Sequence, residues 1–275
     1  MNILTSPSEI SFNPNDIQIM GILNVTPDSF SDGGKFTQLD KALYQVETMI
    51  KDGACIIDIG GESTRPGAVD VFESDEVSRI IPVLKAIKQR FDVAISIDTS
   101  KAIVMTEAIE QGADLINDVR ALQNENCLAV IAQSTIPVCL MHMQGMPRTM
   151  QKNPHYDDLI KDISTFFNAR ITACEGVGIK KERIILDPGF GFGKTLEQNY
   201  QLLAKLSEFK SLGLPLLSGT SRKSMIGNLL NRGVNERLSG SLTTAILAVQ
   251  NGASIIRVHD VKETMDAMKI LAITQ

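Results

Sequence analysis

The sequence predicts an α/β fold, a single (β/α)8 TIM barrel with its active site at the C-terminal ends of the strands. Short apolar runs alternate with longer amphipathic stretches, which is typical of parallel βα units. Eight such units follow one another in about 250 residues, the size of a barrel of this kind. A doubly wound sheet is the alternative, because periodicity does not show closure. The even tally and the absence of G-x-G-x-x-G after the first strand favour the barrel.

The eight strand candidates are apolar and rich in β-branched residues, as expected when both faces of a strand are buried. They are Ile17–Val25, Cys55–Gly60, Ala94–Asp98, Leu115–Val119, Val138–His142, Ile184–Asp187, Leu216–Gly219 and Ile255–His259. The helical candidates are Leu39–Lys51, Ser74–Arg90, Lys101–Gln111, Glu125–Gln133, Tyr156–Val177, Leu196–Phe209, Glu236–Gln250 and Val261–Leu271. Several of these helices are followed by a glycine, a common residue just beyond a helix end. We expect one domain over residues 1–275, with a core from about 17 to 271.

Composition excludes several classes of function. The formal charge of -5 gives no support for nucleic-acid binding, which needs a basic face. No apolar run has the length of a membrane span, and the N-terminus lacks the pattern of a secretory signal. The four cysteines form no C-x-x-C pair and lie mostly in apolar or helix-like segments, so we expect reduced, buried thiols. Together these features predict a cytoplasmic protein.

The stretch DPGFGFGKT, at residues 187–195, resembles a phosphate-binding loop without matching either template. A Walker A loop needs a glycine where this chain has Pro188, and the dinucleotide motif needs a different glycine spacing. We interpret the stretch as the turn after the sixth barrel strand, with Asp187 as its informative residue and glycines that let the backbone bend. Its end opens the next helix, and Lys194 is expected to be solvated.

Polar residues end nearly every strand candidate, which is more than a purely structural account explains. Because a barrel gathers its strand ends on one rim, these side chains are expected to meet there. Some have structural alternatives. Asp58 and Asp118 are also suited to helix N-caps, His142 to a hydrogen-bonded rim residue, and Glu62 to solvent. The histidine spacing does not fit a zinc site.

Taken together, the rim residues suit a particular kind of ligand. Asp98, Asn117 and Asp187 offer carboxylate and amide edges for a flat heterocycle with several donors. Cations and further donors for a diphosphate come from Arg65, Lys223, Arg257 and His259. Asn24 offers a neutral oxygen to Mg²⁺, which keeps most of its waters. Transfer of a heterocyclic group with diphosphate as the leaving group is indicated.

A run of uncommon motifs resembles the dihydropteroate synthase family, strand by strand, from about Ile19 to Ala267. The motifs are MGILNVTPDSFSDGG, DIGGESTRPGA, ISIDT, INDV, LMHMQGMP, ILDPGFGFGKT, GTSRKS and RVHDV. The resemblance implies condensation of (7,8-dihydropterin-6-yl)methyl diphosphate with 4-aminobenzoate, giving 7,8-dihydropteroate and diphosphate in folate biosynthesis. It also implies a need for Mg²⁺, a homodimer and sensitivity of the family to sulfonamides.

The resemblance also implies roles for individual residues. The catalytic residues would be Asp98, Asp187, Lys223 and Arg65. Pterin would be bound by Thr64, Asp98, Asn117, Met141, Asp187, Phe190, Gly219, Lys223 and Arg257. Diphosphate would be bound by Thr64, Arg257 and His259, and 4-aminobenzoate by Phe30, Arg65, Pro66, Ser221 and Lys223, with Asn24 as metal ligand. The implied mechanism is dissociative. Two alternatives stay open: a pterin- or folate-binding methyl-transfer domain, and a non-catalytic barrel that binds pterin or acts as a structural partner.

Overall fold

The computed structural model describes residues 1–3, 10–13, 15–26, 35–62, 71–145, 150 and 154–274, with the backbone alone at 35–37. Its strands are parallel and form a ring. In chain order they are β1 (Asn2–Ile3), β2 (Asp16–Asn24), β3 (Ile56–Gly60), β4 (Ala94–Asp98), β5 (Leu115–Asp118), β6 (Val138–Met141), β7 (Ile184–Asp187), β8 (Leu217–Ser218) and β9 (Ile255–Val258).

The ring confirms the predicted barrel. The strands β2 to β7 pair with one another in chain order, and β9 pairs with both β2 and β8. A parallel bridge between Leu186 and Leu216 joins β7 to β8 and brings the eight-stranded sheet close to full closure. β1 was not predicted. Its residues Asn2 and Ile3 pair with the N-terminal end of β2. The extent of one domain over 1–275 stays a prediction.

Nine α-helices occur in the part of the chain that the structure describes. They are α1 (Lys35–Lys51), α2 (Glu73–Arg90), α3 (Ala102–Glu110), α4 (Cys127–Gln133), α5 (Leu159–Gly176), α6 (Leu196–Ala204), α7 (Ser224–Leu230), α8 (Leu238–Gln250) and α9 (Val261–Ile273). Eight of them were predicted within a few residues at each end. None of them, within the described ranges, is long and apolar enough to cross a membrane.

Side chains at helix boundaries explain where prediction and structure differ. Helix α5 begins at Leu159 rather than Tyr156, because the Asp158 side chain accepts hydrogen bonds from two backbone N–H groups of the first turn. Helix α6 begins as predicted, with Thr195 in a capping box, but ends at Ala204 and continues as a 3₁₀ helix, Leu206–Leu212. Helix α7 was missed, because its seven residues contain a glycine and are too short for a periodicity signal.

The barrel strands present two different faces. Residues that face the helices are mostly apolar, as with Ile95 and Ile97 of β4. Residues that face the interior form a separate apolar floor at mid-barrel and then turn polar toward the C-terminal ends. The floor consists of Met20, Cys55, Ile56, Ala94, Leu115, Cys139, Ile185, Leu217 and Ile255. All four cysteines are buried and none forms a disulfide, as predicted.

Candidate active site

The strand register brings the predicted rim residues together above the apolar floor. Asp98 ends β4 directly beside Asn117 of β5, and Met141 ends β6 beside Asp187 of β7. All four are buried or nearly so. Each lies at an even spacing from a floor residue of its own strand, so its side chain points into the barrel. Two carboxylates, one amide and one thioether therefore converge at the C-terminal end of the barrel interior.

Arg257 of β9 completes this set with a buried ion-pair network. Its Nε donates to Asp58 Oδ2 at 2.6 Å, and its Nη2 donates to Asp98 Oδ2 at 2.8 Å. Asp58 is fully buried on β3 and also accepts from Asn117 Nδ2 at 3.3 Å, while its Oδ1 has no hydrogen-bond partner among the described residues. The alternative that Asp58 caps a helix is wrong, because its carboxylate is held inside the barrel. A carboxylate in the run Ile56-Ile57-Asp58-Ile59 was the available signal.

Burial sets the charge states of this network. Desolvation raises the pKa of Asp98 to about 7, against the opposing effect of Arg257. Desolvation also raises the pKa of Asp187, while the nearby Lys223 ammonium lowers it. Burial alone would lower the pKa of Arg257, but Asp58 and Asp98 raise it, so the guanidinium keeps its charge. Perturbed groups that converge in one cleft are typical of a functional site.

The turn after β7 bends sharply around Asp187. Asp187 Oδ1 accepts a hydrogen bond from Gly189 N at 2.8 Å. Gly189, Gly191 and Gly193 all have positive φ, and a Cβ on Gly189 would lie 2.0 Å from the His142 carbonyl oxygen. The predicted role of these glycines is confirmed, because no side chain fits where the turn meets the end of β6.

The loop after β8 is anchored on three sides around Arg222, which has φ of 57°. Arg222 N donates to Ser241 Oγ, its carbonyl accepts from Arg237, and its guanidinium pairs with Asp260. Such strained backbone persists only where its surroundings hold it in place. On either side of Arg222, the loop presents Ser221 and Lys223 to the rim.

Lys223 and Ser221 both reach the cavity. Lys223 Nζ donates to the Phe190 carbonyl and lies 4.6 Å from the centre of the Phe192 ring. Burial lowers the pKa of Lys223 to about 8, and Asp187 opposes that shift. Ser221 Oγ lies 3.0 Å from His259 Nδ1 and accepts from His259 N at 3.1 Å. Gly219 brings no side chain to this side, and an added Cβ would be in ordinary contact, 3.8 Å from Arg257 Cβ and 4.0 Å from Lys223 Nζ.

The expectation that Lys194 is solvated is wrong. Lys194 is 2% exposed, and its Nζ lies within hydrogen-bond distance of His142 Nδ1 and of the Gly189 and Phe192 carbonyl oxygens. The hydrogen-bonded rim role expected of His142 is confirmed. The lysine is buried because the glycine turn folds over it, which the linear spacing of GKT does not reveal.

The structure also gives the contacts of Asp118, expected as a possible helix cap, and of Glu62, expected as a possible solvated residue. Asp118 accepts from Ser100 Oγ, Arg120 N and Leu122 N, so it stabilises a loop rather than a helix N-terminus. Glu62 is not simply solvated: it pairs with Lys101 at 2.8 Å and accepts from Val71 N at 2.7 Å. Lys101 also pairs with the fully buried Glu76. No motif in the sequence pointed to this cluster.

The binding and catalytic roles of all the predicted site residues stay predictions, and four of these residues have no described position. Phe30, Thr64, Arg65 and Pro66 lie outside the described residues. Phe190 is fully buried within the core, and its carbonyl, rather than its ring, contacts Lys223. Its contact with a pterin therefore stays a prediction.

The comparisons with known proteins agree with this geometry. The family model for pterin binding enzymes matches residues 20–259. The dihydropteroate synthase of Escherichia coli strain K12 is 57% identical over 256 residues, which are 93% of this chain and 91% of that protein. The Haemophilus influenzae dihydropteroate synthase is 56% identical over 253 residues, 92% of each chain.

Solved structures give the same result. The Yersinia pestis dihydropteroate synthase in a sulfonamide drug complex superposes with a TM-score of 0.92 at 55% identity, over 98% of each chain. The Xanthomonas albilineans dihydropteroate synthase with 4-aminobenzoic acid has a TM-score of 0.90 at 44% identity, over 95% of this chain and 94% of that one. These relatives carry synthase names, which favours the synthase over the methyl-transfer alternative.

Proposed function

The chain belongs to the dihydropteroate synthase family of pterin-binding enzymes, and from this premise we propose how its rim residues divide the work of the reaction. The activity is that of a transferase: (7,8-dihydropterin-6-yl)methyl diphosphate and 4-aminobenzoate give 7,8-dihydropteroate and diphosphate. The convergence of Asp98, Asn117, Asp187, Lys223 and Arg257 on one cavity mouth carries the assignment of the site.

Asp98, Asn117 and Asp187 bind the pterin ring along its polar edge. Asn117 Nδ2 donates to Asp58, which leaves the amide oxygen as an acceptor for the ligand. The two carboxylates accept from ring N–H and amino groups, and Lys223 donates to a ring acceptor. Met141 and Gly219 give apolar and open surface to the ring faces, with Arg257 stacked beside it.

Diphosphate binds next to Arg257 and His259, where the positive charge of the rim is concentrated. Thr64 adds a contact by sequence resemblance. The oxygen donors suit Mg²⁺: an added Cβ on Gly60 would lie 3.6 Å from Asn24 Oδ1 and 3.8 Å from Asp98 Oδ2, so both oxygens border one gap made by a glycine. Asn24 would hold Mg²⁺ through its side-chain oxygen, and the ion would supply positive charge beside the diphosphate.

Bond breaking precedes bond making in the proposed mechanism. The bond between the pterin methylene carbon and the diphosphate oxygen breaks, and both electrons leave with diphosphate beside Arg257 and His259. The resulting cation is delocalised over the pterin, where the carboxylates of Asp98 and Asp187 stabilise it. The neutral aryl amine attacks the methylene carbon and then loses its proton, so no strong base is needed.

4-Aminobenzoate approaches from the side of the loop after β8. Ser221 and Lys223 are placed to contact it, and the Ser221 hydroxyl is held by His259. Phe30, Arg65 and Pro66 complete this subsite by resemblance and exclude water, which would otherwise capture the cation. Arg65→Ala is therefore expected to weaken use of 4-aminobenzoate more than binding of pterin diphosphate.

A homodimer is also proposed, through the C-terminal third of the chain. Helices α7 and α8 and the turn between them expose Leu229, Leu230, Val234, Leu238 and Leu247 to solvent. Exposed apolar residues close together favour a protein interface. Sedimentation equilibrium tests this: Leu247→Glu is expected to shift the chain toward monomer, and a monomeric wild type would contradict the proposal.

One assay tests the reaction and its metal together. The chain is mixed with pterin diphosphate and 4-aminobenzoate, and diphosphate release is measured with and without Mg²⁺. We expect release only when both substrates and Mg²⁺ are present. Pterin binding with no release would indicate a binding protein, and turnover independent of Mg²⁺ would contradict the metal site.

A further inference from the structure

A buried lysine lies behind the wall of the pterin site and has no part in the mechanism above. Lys194 Nζ lies 3.1 Å from His142 Nδ1, 2.9 Å from the Gly189 carbonyl oxygen and 3.1 Å from the Phe192 carbonyl oxygen. All three partners are neutral acceptors. A cation that is almost completely removed from solvent without a carboxylate in contact is costly, so its retention calls for an explanation.

The contacts of Lys194 join two parts of the rim. His142 follows β6, directly after Met141, whereas Gly189 and Phe192 belong to the turn after β7. That turn is also closed by Phe192 N, which donates to the Gly189 carbonyl oxygen at 3.2 Å. Lys194 therefore fixes both ends of the four-residue turn and holds it against the neighbouring strand end.

The opposite side of the same turn faces the ligand. Gly189 N donates to Asp187 Oδ1, and the Phe190 carbonyl accepts from Lys223. The orientation of Asp187 and the position of Lys223 thus depend on a turn whose Gly189 and Phe192 carbonyls are held by Lys194. Two lysines contact the turn from its two sides, one facing the cavity and one facing the core.

We propose that Lys194, with His142 as its acceptor, is a positioning residue for pterin binding in the synthase reaction. It acts through the turn at 189–192 and does not touch the substrate. Burial, helped by the charge of Lys223, lowers the pKa of Lys194 to about 7, with Asp187 as the opposing charge. The charges that act on Lys194 are those of Asp187 and Lys223, which belong to the proposed pterin site. The charge state of Lys194 is therefore linked to the charge states of that site.

The inference rests on the proposed roles of Asp187 and Lys223, and it makes a prediction that a purely structural role does not. Lys194→Met removes the donors and keeps the length of the side chain. The KM for pterin diphosphate is expected to rise about tenfold, while the KM for 4-aminobenzoate stays within about twofold. Lys205→Met is the matched control, because Lys205 is half-exposed and pairs only loosely with Glu208 at 3.8 Å.

A second pair of variants covers the case in which Lys194→Met does not fold. In His142→Asn the amide oxygen replaces the Nδ1 acceptor, whereas His142→Leu removes it. The proposal requires His142→Asn to keep most of the pterin affinity and His142→Leu to lose about tenfold. Equal pterin affinity in these two variants would overturn the inference, and so would an equal rise in both KM values in Lys194→Met.

Calorimetry separates this inference from the proposed function. Pterin diphosphate with Mg²⁺ is titrated into wild type and Lys194→Met. A wild type that binds pterin but releases no diphosphate would contradict the proposed function only. An active wild type with unchanged pterin affinity in folded Lys194→Met would contradict the inference only.

Discussion

The two faces of the barrel strands contrast most clearly on β4, where Ile97 and Asp98 are adjacent in sequence. Ile97 is fully buried against the helices, in a mostly apolar core. Asp98 is also buried, yet it points into the barrel among Asp58, Asn117 and Arg257. Burial therefore has different consequences on the two faces. Apolar side chains on one face stabilise the fold by the hydrophobic effect, whereas buried charges on the other face require charged or hydrogen-bonding partners.

The contrast extends along the barrel axis. Interior residues are apolar at mid-barrel and polar at the C-terminal rim, so stability and chemistry are separated by a few ångströms along each strand. A substitution at the rim should therefore change activity with little effect on folding, and one on the helix-facing side should do the reverse. The predictions below test this separation.

The largest effect is expected for Asp98→Asn. The amide keeps the shape of the carboxylate but removes the charge next to the developing cation, so turnover should fall about 10³-fold. At about pH 4, where the raised pKa keeps Asp98 uncharged like asparagine, the free energy of unfolding should change by less than about 1 kcal/mol, and Arg257 still pairs with Asp58. Diphosphate release and urea unfolding measure the two quantities. Near-normal turnover would remove Asp98 from the mechanism.

Ile97→Ala is the matched change on the other face of the same strand. Loss of a fully buried side chain from the core is expected to lower the free energy of unfolding by about 3 kcal/mol. Turnover per folded molecule should stay within about twofold of wild type. If activity fell as far as in Asp98→Asn, the two faces would not be functionally separate.

The pH profile of kcat/KM should have a rising limb and a falling limb, each due to one titrating group at the rim. We expect kcat/KM to rise as Asp98 loses its proton near pH 7 and to fall as Lys223 loses its proton near pH 8, with apparent values that belong to the coupled set. Kinetics in Asp98→Asn should lack the rising limb. A rising limb that persists in this variant would assign it to another group.

The same raised pKa of Asp98 has a consequence for stability. The folded state binds more protons than the unfolded state between the ordinary Asp pKa, near 4, and the folded pKa of about 7. The contribution of this group to stability is therefore present at low pH and is lost as the pH rises through that window. Urea unfolding of wild type and Asp98→Asn from about pH 4 to about pH 7 measures this contribution. The free energy of unfolding is expected to change less with pH in the variant than in wild type.

The smallest effect is expected for Gly219→Ala. An added Cβ would lie 3.8 Å from Arg257 Cβ and 4.0 Å from Lys223 Nζ, which are ordinary contacts, so folding should be unchanged. The methyl group does occupy space proposed for the pterin, and we expect an affinity loss of about fivefold in a binding titration. Gly189→Ala gives the contrast: its Cβ would lie 2.0 Å from a backbone oxygen, so its fold should be strongly destabilised.

Residues at strand ends were predictable because parallel strands place their C-termini on one rim whatever the details of packing. Asp98, Asn117 and Asp187 follow from that rule alone. Asp58 and Lys194 did not follow, since each has a common role at its position in the sequence, as a helix cap or a solvated cation. Their burial depends on Arg257, 199 residues from Asp58, and on a turn that folds back over Lys194.

The sequence by itself determined the barrel, the order of its strands and helices, the rim residues and the family. These features are local or repeated, so hydrophobic periodicity, turn glycines and short motifs record them directly. Only the tertiary structure decided which charges pair inside the barrel and that Lys194 lies buried behind the turn. Those outcomes depend on distances between residues far apart in the chain, and burial, which sets their charge states, is a property of the assembled fold.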